Sequence, residues 1–452
     1  MNEIITEDDL RVQVNYRSIL KQALPICFAI LIPQLNFITN TIFLGHYSEE
    51  AMAVAGITGV YYLVFSAIGF GLNNGLQALI SRRAGENRPE EIGKLFSQGI
   101  LLSQAIALTG IIVTYAFVPG VFRLFIQDPG RLEEAIGFLR IRIWGLPLLY
   151  IYQMRNALLV GINQSKYLVA GTAAEAISNV IFDYALIFGH WGMPELGLNG
   201  AAYASIIAEG TGLIVVYAVI YQKGIGKKFN LLSNVHWDRP NLKLILAMAS
   251  PLMFQHAISI ASWEYFFLEI DRHGAQALAV SNTMRNVFGL FGCVTWALAA
   301  TTNAMVSNIM GQRKKRLVWL LIGKIIRINL SFSLLGALLL NLFPSAFLSI
   351  YGQGPGFIGD AIPVIRVVSV AMLLMAVSTV LLNAVTGTGN SRVTFLIEAC
   401  VIVLYCVYVY LVLDRFFLPI SIGWMSEWLY WIGILIPSYF YLRSGKWKNK
   451  MI

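Results

Sequence analysis

Residues 22–56, QALPICFAILIPQLNFITNTIFLGHYSEEAMAVAG, and residues 248–282, MASPLMFQHAISIASWEYFFLEIDRHGAQALAVSN, read as two copies of one apolar unit. Pro25 and Pro251 stand 226 residues apart, half the chain of 452. The same offset carries Ala53 and Val54 to Ala279 and Val280, Gly85 to Gly311, Arg140 to Arg366, Gly161 to Gly387 and Ser165 to Ser391. Chance matches between apolar stretches would not hold one ungapped offset from Leu20 to Ser165. Tandem apolar copies mark a secondary transporter, whose binding site is expected between the repeats.

The chain is 57% hydrophobic and 13% charged, against about 25% charge in a soluble domain. This predicts an all-α membrane protein. Twelve spans are expected near 20–45, 52–80, 94–117, 135–160, 167–189, 197–221, 243–270, 276–308, 317–341, 361–387, 393–413 and 421–442. Each reaches the roughly 20 residues that cross a bilayer as a helix. Six spans per copy is an even number, so both copies have the same orientation and their pseudo-twofold axis runs along the membrane normal. The expected domains are an N-lobe at 1–222, a cytoplasmic linker at 223–242 and a C-lobe at 243–452.

The net charge of +9 is not a nucleic-acid signal, because of where it lies. With the N-terminus inside, 22 of the 33 Lys and Arg fall on cytoplasmic segments, four on outer loops and seven within spans. That is the positive-inside pattern. It predicts a multi-pass protein of the inner membrane with both termini cytoplasmic, touching lipid and small molecules. The arm before the first span carries Glu3, Glu7, Asp8 and Asp9, unlike a cleavable leader. Cys27, Cys293, Cys400 and Cys406 all fall in spans and read as small packing residues. Pro25 and Pro33 share span 1, where each removes a backbone hydrogen bond, so this span is the candidate hinge.

NFITNTIFLGHYSEEAMAVAG (36–56), GLQALISRRAGE (75–86), NVIFDYALIFGHWGMPELGLNGAAYAS (179–205) and GTGNSR (387–392) resemble the multidrug and toxic compound extrusion (MATE) transporters. The resemblance runs over about 20–440. It implies two six-helix lobes and a monomer that exports organic cations or drugs in exchange for sodium ions or protons. No cofactor beyond the coupling ion is implied.

An ionisable group inside a span costs about 2.5 kcal/mol or more and is a functional candidate by default. Those in spans are Glu175, Asp183, Glu209, Glu264, Glu269 and Glu398, with Arg155, Arg285, Arg327 and Arg366 as possible partners. Glu269 and Glu398, near span ends, are expected to reach polar surroundings. Glu175, Asn179 and Asp183 recur every four residues, which places them on one helical face. Such an oxygen-rich strip suits a hard cation or a proton. In MATE relatives an Asn and an Asp four apart on span 5 face an Asp on span 1. The resemblance therefore assigns ion coupling, with a possible sodium site, to Asn179 and Asp183 opposite Asn40, which replaces the usual Asp. Glu209 lies at a depth similar to Glu175, so the two carboxylates would repel when both are ionised; the alternative is that each pairs separately with an Arg or Lys.

In the second copy Glu264 resembles the second Glu of a W-W-x-Y-E stretch, with Ser259 where the first would fall. Glu264, Arg285, Trp263 and Tyr265 are the substrate-cavity candidates, the aromatics as cation–π faces. A Glu264–Arg285 salt bridge is the alternative. The five histidines have no metal-ligand spacing, so no metal chemistry is expected. The rival with the same fold is a lipid-linked oligosaccharide or peptidoglycan-precursor flippase, which would use Arg155, Arg285 and Arg327 on pyrophosphate. A membrane enzyme is disfavoured by the lack of a catalytic motif, and a channel by the lack of a filter loop.

Overall fold

The computed structural model describes residues 10–126, 128–232, 236–349 and 354–450. The acidic residues of the N-terminal arm and the middle of the linker, 233–235, lie outside the described residues. Every regular element described is helical. In chain order they are α1 (Tyr16–Tyr47), α2 (Glu49–Gly85), α3 (Pro89–Phe125), α4 (Pro129–Arg142), α5 (Leu146–Gly161), α6 (Leu168–Phe188), α7 (Gly197–Gln222) and the short α8 (Ile225–Lys228). The second copy gives α9 (Arg239–Asp271), α10 (Ala275–Gly311), α11 (Leu317–Leu342), α12 (Pro344–Ser349), α13 (Pro355–Gly387), α14 (Ser391–Val409), α15 (Ile420–Gly423) and α16 (Ser426–Ser444). A 3₁₀ turn at Ile143–Gly145 joins α4 to α5 as one span, and a π turn at Tyr410–Arg415 ends α14.

The termini of these helices are written locally. Ser48 caps α2: its Oγ accepts from the N–H of Glu50 at 3.2 Å and of Ala51 at 3.4 Å, with Glu49 and Glu50 in the first turn. Asp128 caps α4, accepting from Gly130 N at 2.9 Å beside Pro129 at the first turn. Gly189, at φ +72°, closes α6 in the left-handed conformation.

All twelve expected spans are present as helices, and the protein is an all-helical membrane protein. Ten of the described helical stretches are long and apolar enough to cross a bilayer. The two expected spans outside that set are α6 and α16. α6 carries Glu175, Asn179 and Asp183, and α16 is rich in Trp and Tyr, so both score low on hydropathy for reasons tied to their contents. The 37-residue α2 and α10 are each about 55 Å long, more than the roughly 30 Å of hydrocarbon.

The helices form two compact units. One comprises residues 28–253 together with Leu10, the other 11–27 with 254–452. The division therefore falls inside α1 and α9, not in the 223–242 linker. It follows the repeat: Cys27 and Met253, the residues at the two break points, are 226 apart. α1 itself runs unbroken through Pro25 and Pro33.

Within the first unit, α6 and α7 pack closely because glycine removes side chains between them. A β-carbon on Gly200 would lie 2.4 Å from the backbone oxygen of Leu186. Backbone cannot yield to it as a flexible side chain would. Gly200→Ala is therefore expected to destabilise the protein by about 1–3 kcal/mol. Gly210→Ala, where the nearest atom is 4.0 Å away, should leave the midpoint of thermal unfolding in detergent unchanged.

Candidate functional site

In the first unit α1 and α6 bring Asn40, Asn179 and Asp183 together. Asp183 is fully enclosed and Asn179 is buried. The Asn40 carboxamide is oriented by its neighbours. Its Nδ2 donates to Asp183 Oδ2, to Asn179 Oδ1 at 3.2 Å and to the backbone oxygen of Asn36 at 3.2 Å. Asp183 Oδ1 and Asn179 Nδ2 are buried without a partner. Among the described residues no Lys, Arg or His pairs with Asp183. A carboxylate buried without a countercharge costs several kcal/mol, roughly, unless a proton or cation joins it. Its surroundings supply amide oxygens, the ligand type that sodium accepts.

Glu175 continues the same helical face, one Oε buried without a partner. Glu209, on α7, is not left to repel it. Arg142 Nη2 donates to Glu209 Oε1 at 2.6 Å and Nη1 donates to Oε2 at 3.3 Å. The guanidinium also lies 4.0 Å from the Tyr62 ring centroid. Gly145 makes room for this pair, since a β-carbon there would be 2.2 Å from Arg142 Nη1. Of the two expected outcomes, pairing with a cation is the one that Glu209 meets, through Arg142 on α4, while Glu175 has no salt bridge among the described residues. Arg142 was not among the expected partners. It lies two residues from Arg140, which the repeat had already marked, but nothing in the one-dimensional pattern aims it at α7. Arg155 is fully buried; its Nη2 donates to Asn156 Oδ1 at 2.7 Å and the group lies 3.9 Å from the Tyr152 ring.

In the second unit the expected cavity acid is not free. Arg285 Nη2 donates to Glu264 Oε1 at 2.9 Å. The guanidinium lies 5.0 Å from the Trp263 ring centroid and 3.9 Å from that of Phe267. The alternative salt bridge is the one formed, and Trp263 faces a resident cation. Tyr265 packs against the core of this unit instead of joining that pair. Glu269 bonds Arg272 at 3.0 Å, which also reaches Asp414 at 2.5 Å. Glu398 is enclosed between α9, α14 and α16, where its polar surroundings are side chains: Gln255 Nε2 and the Tyr430 hydroxyl donate to it. Glu427, at the start of α16, is a further buried acid that the sequence reading missed.

The two copies do not share this polar chemistry. The counterparts of Asn40, Asn179 and Asp183, 226 residues on, are Phe266, Tyr405 and Val409. There the rings of Phe266 and Tyr405 lie 6.2 Å apart in an apolar core. Among the described residues no cluster of His, Cys, Asp and Glu has the makings of a metal centre.

The MatE family model matches residues 25–185 and again residues 251–411, the second match displaced by the repeat length. The chain belongs to the MatE family. This is a family of transporters, not enzymes. A probable multidrug resistance protein NorM of Thermotoga maritima is 23% identical over 447 residues, covering 96% of this chain and 94% of its own. A probable NorM of Photorhabdus laumondii is 24% identical over 84% of each chain. Among solved structures, a multidrug resistance MATE family transporter in an outward-facing conformation matches with a TM-score of 0.86 at 18% identity, over 99% of this chain and all of the other. A MOP superfamily transporter from Pyrococcus furiosus, whose binding pocket is described as reversed in polarity with a suggested different function, gives 0.86 at 17% identity with the same coverage. At these identities the likeness to solved structures shows the fold alone.

Breaking the buried Arg142–Glu209 pair from one side leaves an uncompensated charge. Arg142→Gln is expected to cost about 3–5 kcal/mol, seen as a lower unfolding midpoint of the full-length protein in detergent. The double variant with Glu209→Gln should recover much of the loss.

Proposed function

We propose that the protein is a secondary active antiporter that exports hydrophobic organic cations or drugs in exchange for sodium ions or protons. The observation that supports this is the enclosed Asp183, bonded by the Asn40 amide beside Asn179, with one oxygen unpartnered. A single carboxylate with amide neighbours holds one monovalent cation. When the site opens to the outside the cation enters; its release inside returns the acid to a bare charge in a dry place, a state disfavoured until substrate or a new cation arrives. Glu175, one more step along α6, lies on the cytoplasmic side of Asn179 in the proposed orientation and serves as an inner stop for the same ion. Bending of α1 between Pro25 and Pro33, where the contact units divide, supplies the movement.

The distribution of Lys and Arg supports an inner-membrane protein with both termini in the cytoplasm. We further propose that it works as a monomer. With Glu264 tied to Arg285, charge selection for a cationic substrate falls mainly on Asp183. The same ion pair argues against a lipid-pyrophosphate flippase, because the guanidinium is occupied.

Asp183→Asn should insert and fold but lose cation-driven efflux of a fluorescent lipophilic cation from vesicles. Wild-type efflux at equal expression would overturn the assignment. Asn40→Asp places a second carboxylate against Asp183 and should change the sodium or pH dependence of efflux. An identical profile under separately imposed sodium and pH gradients would show that the two positions do not act together.

A further inference from the structure

The two copies treat the loop between their second and third long helices differently. In the first copy the loop from α2 to α3 balances its own charge. Arg83 bonds Glu86 at 2.9 Å and Glu91 at 2.6 Å, and Arg88 bonds Glu91 at 3.1 Å. In the second copy the corresponding loop, from α10 to α11, reads Arg313, Lys314, Lys315 and Arg316. The residues 226 earlier are Asn87, Arg88, Pro89 and Glu90. α3 has Glu90 and Glu91 in its first turn, whereas α11 has no acid there. The end of α16 adds Arg443, Lys446 and Lys448, all exposed. These charges are neighbours of the α11 loop: Val318 of α11, Leu442 of α16 and Trp447 just beyond it share one buried apolar cluster. Among the described residues no acid pairs with any of these cations. Membrane orientation does not require such a bare patch, because it follows Lys and Arg and takes little notice of Asp and Glu.

One turn into the membrane from these charges, Trp319 of α11 and Tyr439 of α16 meet edge to face, their ring centroids 5.9 Å apart. α11 starts and α16 ends at this face of the unit. Arg316, three residues before Trp319, and Arg443, four after Tyr439, therefore stand on the same side of the ring pair. Leu320, one turn beyond Arg316, and Phe440, one turn before Arg443, are both exposed. Trp319 and Tyr439 are themselves exposed, and among the described residues the indole N–H and the phenol hydroxyl of this pair bond nothing. The strip thus has two guanidiniums at the rim, and beneath them two neutral donors flanked by apolar side chains. That order matches an anionic phospholipid, with its phosphate, its esters and its acyl chains. An aromatic pair at head-group level is an interfacial anchor. Guanidiniums beside it add recognition of charge, because each can hold a phosphate through paired N–H groups.

We propose that Arg316 and Arg443, with Trp319 and Tyr439, form a binding site for an anionic phospholipid of the cytoplasmic leaflet. The first copy has no equivalent, since Glu90 and Gly93 stand where the second has Arg316 and Trp319. The site lies wholly within the second unit and does not rest on the antiporter reading.

The test is native mass spectrometry of the purified full-length protein in detergent, with phosphatidylglycerol or phosphatidylcholine of the same acyl chains added. Wild type is expected to hold phosphatidylglycerol in preference to phosphatidylcholine. The double variant Arg316→Gln/Arg443→Gln should hold it roughly 25-fold more weakly, about fivefold for each basic residue lost beside the lipid charge. Both positions are exposed, so its unfolding midpoint in lipid-free detergent should equal that of wild type. Arg88→Gln, in the loop of the first copy, should bind the lipid as wild type does. No preference in wild type, or equal affinity in the double variant, overturns the proposal. Displacement of the lipid by an equal concentration of glycerol 3-phosphate would show a phosphate site and not a lipid site, and overturns it too. The location is read by fluorescence in phosphatidylcholine nanodiscs holding a minor share of lipid brominated on its chains. Brominated phosphatidylglycerol should quench more than brominated phosphatidylcholine, and Trp319→Phe, which keeps an apolar ring, should remove the difference. The same difference in Trp319→Phe would place the bound lipid elsewhere and overturn the site.

Discussion

Lipid hydrocarbon offers no hydrogen-bond partner, and that constraint shapes every level of this protein. Backbone N–H and C=O groups are satisfied along each helix, so the described spans are helices throughout. Charged side chains face the same demand with fewer solutions. Four of them are met by pairing: Arg142 with Glu209, and Arg285 with Glu264. Asp183 and Glu398 are met only by amides and hydroxyls. In the first kind the charge of the acid is balanced within the pair, which ties one helix to another. The second kind has no countercharge among the described residues.

Close helix packing sets where those acids can sit. Gly212 brings α7 against the stem of Glu175, and Gly200 brings it against the backbone at Leu186. Gly145 leaves room for the Arg142 guanidinium beside Glu209, where a β-carbon would clash with both. Small residues at such contacts let backbones approach where lipid gives no hydrophobic drive for association.

Duplication supplied one scaffold, and the two copies then diverged in their polar contents. Where α1 and α6 place Asn40, Asn179 and Asp183, α9 and α14 place Phe266, Tyr405 and Val409, packed as apolar core. The scaffold tolerates this exchange because backbone geometry, not the side chains at these positions, carries the fold.

The sequence by itself determined the repeat, the twelve helices, the family and the shared face of Glu175, Asn179 and Asp183. The repeat is a match of residues at one offset and the family a resemblance of motifs, while the helices and the shared face follow from hydropathy and helical periodicity, which act over neighbouring residues. Only the tertiary structure decided which charges are paired. Arg142 lies 67 residues from Glu209, and Gln255 lies 143 from Glu398. Glu427 passed unnoticed beside the aromatic run of α16, and Glu398 was expected near water because distance from a span end was its only guide. A one-dimensional pattern gives depth along a helix but not the direction a side chain takes around it. Burial and ion pairing depend on that second coordinate, which exists only once helices pack.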